Sequence, residues 1–210
     1  MAGTDTHAAA SVRPLGSAAA LSGVIALPLG VLLGIHIGDV PDTQWSYPHS
    51  TGVFLVEAVV LVLVHVLQAA GFVGALRLGV TGSSGAGRIG LWAAVVGLLG
   101  LSAAELCSGF IGGKANDSSA AVIVGTFFGI TSIVLALGAI VGGIAIVRAG
   151  VWQGPWKWTV LATGVVIIVL VTPANVSGSL PFRQAALVIW SVLFIPLGLD
   201  VARGLVRRTT

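Results

Sequence analysis

The sequence predicts an all-α fold: a polytopic membrane protein built as a bundle of six transmembrane helices with both termini cytoplasmic. Three observations predict it: the composition, the lengths of the apolar runs, and the side on which the basic residues fall. Of 210 residues, 56% are hydrophobic and only 8% are charged, and the mean hydropathy is +1.06. A soluble domain carries about a quarter charged residues, so this chain has too little polar surface to coat a globule in water. No stretch between the apolar runs is long enough to fold alone, and 1–210 is read as one membrane-embedded domain.

A helix needs about 20 apolar residues to cross the hydrocarbon core. Six such runs lie at about 16–38, 52–76, 89–112, 119–147, 157–174 and 182–203. The first could be mistaken for the h-region of a signal peptide, but it is too long and ends in His36-Ile37-Gly38-Asp39; it reads as a retained helix. Turn formers separate the runs: Asp39-Val40-Pro41-Asp42, then the Gly/Ser stretch at 82–87, Lys114-Ala115-Asn116-Asp117, Gln153-Gly154-Pro155-Trp156 and Thr172-Pro173-Ala174-Asn175. Trp152, Trp156 and Trp158 cluster at one break, as expected of indole rings at headgroup level.

With six crossings and the N-terminus inside, the inner segments hold Arg13, Arg77, Arg88, Arg148, Lys157, Arg203, Arg207 and Arg208. The outer ones hold only Lys114 and Arg183, together with Asp39, Asp42 and Asp117. That bias follows the positive-inside rule, whereas five or seven helices would scatter the same charges over both sides. Arg outnumbers Lys, and Ala, Gly and Val dominate, which points to the cytoplasmic membrane of a bacterium. The pI near 9.8 arises from a net charge of only +3 and predicts no nucleic-acid partner.

Lipid tails are as apolar as leucine, so membrane helices associate through small residues. Gly30, Gly34 and Gly38 on helix 1, and Gly125 and Gly129 followed by Gly138 and Gly142 on helix 4, are expected to pack the bundle internally, with a homo-oligomer interface as the alternative. Pro28 and Pro196 each remove a backbone donor and are candidate kinks.

Several familiar signatures fail. Gly82 to Arg88 mimics the spacing of a phosphate loop but has Arg for Lys and Ile89 for Ser or Thr, and it follows a membrane helix instead of a strand. Asn116-Asp117-Ser118 and Asn175-Val176-Ser177 fit the glycosylation pattern but read as plain loop residues in a bacterial protein. There is no HExxH and no GxSxG, and Cys107 is the single cysteine, so disulfides and Cys-rich metal sites are excluded; Cys107 itself is expected to be packed. A haem between His36 and His65 would need both at one depth, yet they sit roughly 20 Å apart along the bundle. No cofactor, no catalytic residue and no metal is assigned, and the chain is not expected to be an enzyme.

The chain has two glutamates, Glu57 and Glu105, both inside predicted helices. Intramembrane ionisable groups are costly and face the bundle interior. On helix 2, Glu57, Leu61, His65 and Gln68 fall within about 80° of one another. Glu57 lies roughly 8 Å and Glu105 roughly 10 Å from the outer surface, so the two carboxylates are level on neighbouring helices, with His36 slightly above. Two carboxylates held together share a proton or bridge a cation. This gives a proton or cation site of His36, Glu57 and Glu105, with His65 and Gln68 as a deeper relay. The alternative is structural, with both glutamates hydrogen-bonded across helices alongside Ser102 and Ser108.

Two short stretches, Trp45-Ser46-Tyr47-Pro48 before helix 2 and Arg148-Ala149-Gly150-Val151-Trp152 after helix 4, resemble small six-span bacterial integral membrane proteins of no assigned role. That resemblance implies the fold and no activity. The expected function is a small transporter or a proton- or cation-coupled permeation unit; the alternatives are a membrane scaffold or accessory subunit and, furthest off, an intramembrane metalloenzyme with His and Glu ligands. The expected partners are the lipid bilayer, a second copy of the chain, and a small molecule or ion.

Overall fold

The computed structural model describes the backbone of residues 3–35 and 40–204, and the side chains of 11–33 and 40–204. Six helical spans long and apolar enough to cross a membrane are present: Ser11–Leu33, Thr51–Arg77, Gly85–Phe110, Ser119–Ala149, Pro155–Val176 and Leu180–Arg203. The first lies within α1 (Gly3–Ile35), and the next three are α2 (Thr51–Arg77), α3 (Gly85–Phe110) and α4 (Ser119–Ala149). The fifth is assembled from a 3₁₀ turn at Pro155–Trp158, α5 (Thr159–Val166), a π-turn at Ile167–Val171 and α6 (Thr172–Val176). The sixth is α7 (Leu180–Val192) followed by α8 (Phe194–Arg203). No strand occurs among the described residues.

Local chemistry sets the ends of these helices. The Ser84 and Ser118 hydroxyls accept from the N–H groups of Gly87 and Ala121, satisfying donors that the first turn leaves free. Gly150 and Gly204 close α4 and α8 with φ of 65° and 62°, a conformation that costs glycine least. Arg77, Arg148 and Arg203 occupy the last turns of α2, α4 and α8, where the helix dipole favours a cation. We call this the basic end, and the opposite end, where the 40–50 and 111–118 loops meet, the capped end.

Each span packs against its chain neighbours, and the sixth returns to lie against the first. Phe72, Leu91, Leu98, Leu135, Phe194 and Leu197 fill the centre and are fully buried. Facing outward are Phe110, Ile89, Ile123 and Val56, which are 65–74% exposed; in water that surface would be untenable, and in hydrocarbon it is solvated.

The prolines act unequally. α1 runs unbroken through Pro14 and Pro28, whereas the sixth span breaks at Leu193, three residues before Pro196. Pro173 has no N–H to return to the preceding turn. There the fifth span widens into its π-turn, and the Ile167 carbonyl accepts from both the Thr172 N–H and, at 2.9 Å, the Thr172 hydroxyl.

Two expectations are corrected. Trp152 is 2% exposed instead of lying at the surface, because its indole N–H donates to Asp200 Oδ2 at 3.1 Å; Trp156 and Trp158 alone remain about half exposed. Cys107 is exposed on α3 and not packed.

The glycines divide by face. A Cβ on Gly138 would lie 2.6 Å from the Ala94 nitrogen, and one on Gly142 would lie 2.8 Å from Leu91 Cδ2, so α3 and α4 meet there. On Gly125 a Cβ would meet only Trp45 Cη2 at 3.7 Å, and on Gly129 nothing within 4 Å. Nine residues separate Gly129 from Gly138, which at about 100° per residue is half a revolution, so the two pairs face opposite ways. Gly125 and Gly129 therefore do not pack the bundle internally. Gly30 approaches Val188 Cγ2, at 2.4 Å from its would-be Cβ, while the surroundings of Gly34 and the whole of Gly38 lie outside the described residues.

Candidate functional site

The capped end is closed by a loop that the sequence treated only as a connection. Trp45 N–H donates to the Lys114 carbonyl at 2.9 Å, Ser46 N–H to Gly112 at 3.1 Å and Asn116 N–H to Thr43 at 2.8 Å. The Asn116 amide adds a bond to the Asp42 carbonyl at 2.9 Å. Trp45 Nε1 donates to Ser108 Oγ at 2.8 Å, tying the loop to the last turn of α3. Ser46 and His49 are consequently buried although neither belongs to a helix.

Beneath that cap four ionisable side chains converge from four segments. His49 Nε2, in the loop, lies 3.9 Å from Glu57 Oε2 on α2. Glu57 is within electrostatic reach of Arg183 on α7, and Glu105 on α3 of both Glu57 and Arg183. The side chains of His49 and Glu57 are 4% and 12% exposed, so this is an enclosed cluster and not a surface network. Glu57 Oε2 has no hydrogen-bond partner among the described residues.

Arg183 and His49 are the members that the sequence reading did not place. Read from the sequence as an outer charge, Arg183 is the fourth residue of α7, half-buried and within electrostatic reach of both carboxylates. A cation on the side otherwise poor in Lys and Arg, level with two glutamates, was the available signal. His49 had none, because its burial depends on the loop being pinned by α3. His36 lies outside the described residues. Ser102 and Ser108 are engaged elsewhere: Ser102 Oγ with the Leu98 and Val62 carbonyls at 3.1 and 3.4 Å, and Ser108 with Trp45.

His65 and Gln68 do not join the cluster. They lie deeper on α2, 6% and 0% exposed, where the imidazole meets the Trp190 ring at 6.1 Å between centroids. Among the described residues no group of three His, Cys, Asp or Glu side chains is placed to hold a metal ion.

At the basic end, Thr81, Ser83, Ser84, Gly87 and Arg148 help line an open cleft of about 500 Å³. The Ser84 hydroxyl there already caps α3 through Gly87.

Compared with protein-family models, with curated proteins and with solved structures, the chain matches none of them. Its class therefore rests on its own residues. Six apolar spans around an enclosed charged cluster make it a multi-pass integral membrane protein.

Proposed function

We propose that the protein is a small proton-conducting permeation unit of a bacterial cytoplasmic membrane, with the capped end outward and the basic end in the cytoplasm. The observation that carries this reading is the gathering of Glu57, Glu105 and Arg183 inside the spans, beside His49. With both carboxylates ionised the trio bears one net negative charge, and one added proton makes it neutral. A low-dielectric bundle favours the neutral sum, and Arg183 already supplies the charge that a bound metal cation would bring. The arrangement thus suits exchange of one proton better than capture of a cation. His49 stands where such a proton would pass between the cluster and the loop.

Reconstitution in liposomes tests this without knowledge of a co-substrate. Wild-type protein is expected to dissipate an imposed pH gradient, read by an entrapped dye, and Glu57→Gln or Glu105→Gln to slow it about 10²-fold, the scale of a lost acid–base group. Wild-type vesicles no faster than empty ones would sink the proposal.

A second reading, a scaffold or accessory subunit, is favoured by the unfilled Gly125/Gly129 face of α4. Small residues at four-residue spacing suit close helix pairing, and the occupant of that face would be a second copy of this chain. Gly129→Leu should then convert a dimer to a monomer in detergent by light scattering while leaving the helical content, read by circular dichroism, unchanged. A wild-type monomer rules this reading out.

A further inference from the structure

Midway through the bundle, three side chains carry polar atoms that find no partner among the described residues. They are His65 Nδ1, both Gln68 Nε2 and Oε1, and Trp190 Nε1, on residues that are 6%, 0% and 4% exposed. His65 and Gln68 are three residues apart on one face of α2, and Phe72 follows on that face. His65 meets Trp190 at 6.1 Å and Phe72 meets Phe194 at 6.0 Å, ring centre to ring centre. Gln68 is thus bracketed between two ring contacts that both run from α2 to the sixth span. A buried polar group without a partner costs about 1–3 kcal/mol, and four together are a large debt for one small region.

The chemistry of the four atoms defines what satisfies them. Trp190 Nε1 only donates, the Gln68 amide donates and accepts, and a neutral imidazole nitrogen does either. No Asp, Glu, Lys or Arg lies between Glu57 and Arg77 on α2, or between Arg183 and Asp200 on the sixth span, so nothing here recognises an ion. The packing closes tightly over the polar atoms, which admits only a very small guest, let in as the Gln68 amide or the imidazole turns aside.

We propose that His65, Gln68 and Trp190 form an internal water site, in which ordered water bridges the three side chains and continues the polar face of α2 inward from Glu57. This stands on the geometry of the three residues and does not depend on proton transport. The Phe72–Phe194 pair, fully buried, ends the site on the side of the basic end.

Hydroxyl-radical labelling with mass spectrometry tests it, because radicals generated from bound water oxidise the side chains beside it. In nanodisc-embedded protein, His65 and Trp190 are expected to be labelled while the neighbouring, fully buried Phe72 and Phe194 are not. In Trp190→Phe, which keeps a ring and deletes the donor, labelling at His65 should fall severalfold. His65 and Trp190 as silent as Phe72 and Phe194 overturns the proposal. Melting supplies an independent sign: Gln68→Met removes the amide at nearly constant volume. It should lower Tm by about 2–4 °C if water bonds the amide, whereas a dry site would be relieved of its unpaired groups, and a rise in Tm overturns the proposal.

Discussion

Arg183→Met is expected to lower the amount of folded protein recovered from membranes, a loss of about 1–3 kcal/mol, the scale of leaving a buried polar group uncompensated. The reason lies in what remains: Glu57 and Glu105 face each other's charge beneath the loop with their common counter-ion gone. The companion experiment separates charge from packing. If the guanidinium serves chiefly to balance the carboxylates, Arg183→Met combined with Glu57→Gln should recover more than half of the lost stability, since the pair then holds one ionisable group. Arg183→Lys should fall between, because an ammonium restores the charge on a shorter, differently shaped head group. Thermal unfolding in detergent of wild type, Arg183→Met, Glu57→Gln and the double variant forms a double-mutant cycle. Additive losses, or an Arg183→Met protein as stable as wild type, would mean that Arg183 is solvated at the membrane surface and plays no part in the cluster.

That prediction depends on a residue the sequence did not offer, and the reason is physical. Run length and composition suffice for the six spans, because hydrocarbon thickness and the need to satisfy every backbone group leave few alternatives to helices of this length. The level placement of Glu57 and Glu105 followed from the helical rise alone. Arg183 falls just inside the final apolar run, at its outer end, where nothing in the sequence says whether a charge faces water or the bundle. The structure places it in the first turn of α7, which begins at Leu180. The face it takes on that turn, and not the helix boundary, decides whether it counts as surface charge or as counter-ion.

Long-range contacts were the other blind spot. His49 next to Glu57, Trp152 on Asp200, and His65 against Trp190 join segments whose separation in sequence carries no signal. Asp200 was itself legible as an acid within the sixth apolar run, and pairing it required only a donor at the same end of the bundle. The faces of α4 were legible too, since the offset of nine positions from Gly129 to Gly138 places the pairs on opposite sides by arithmetic. The four-residue spacing within each pair drew attention from the half-turn between them.

The closest helix approach gives the second large effect. A Cβ on Gly198 of α8 would stand 2.3 Å from the Ala20 nitrogen and 2.5 Å from the Gly16 carbonyl oxygen on α1, and one on Gly16 would stand 2.2 Å from the Ala202 nitrogen. These neighbours are backbone, so no rotamer change relieves the clash; α1 and α8 must separate. Alanine in place of glycine within a helix gains about 0.5–1 kcal/mol, while forcing atoms into a filled contact costs about 1–3 kcal/mol or more. The steric term wins at Gly198, and Gly198→Ala is expected to lower Tm by roughly 6–12 °C, the equivalent of about 3 kcal/mol in a chain of this size. At Gly129, where a Cβ meets nothing within 4 Å, only the propensity gain is left, and Gly129→Ala should raise Tm slightly. Opposite signs for one chemical change on two helices isolate proximity from composition. A Gly198→Ala protein at least as stable as wild type would mean that α1 and α8 are not in backbone contact, and the closure of the sixth span onto the first would have to be redrawn.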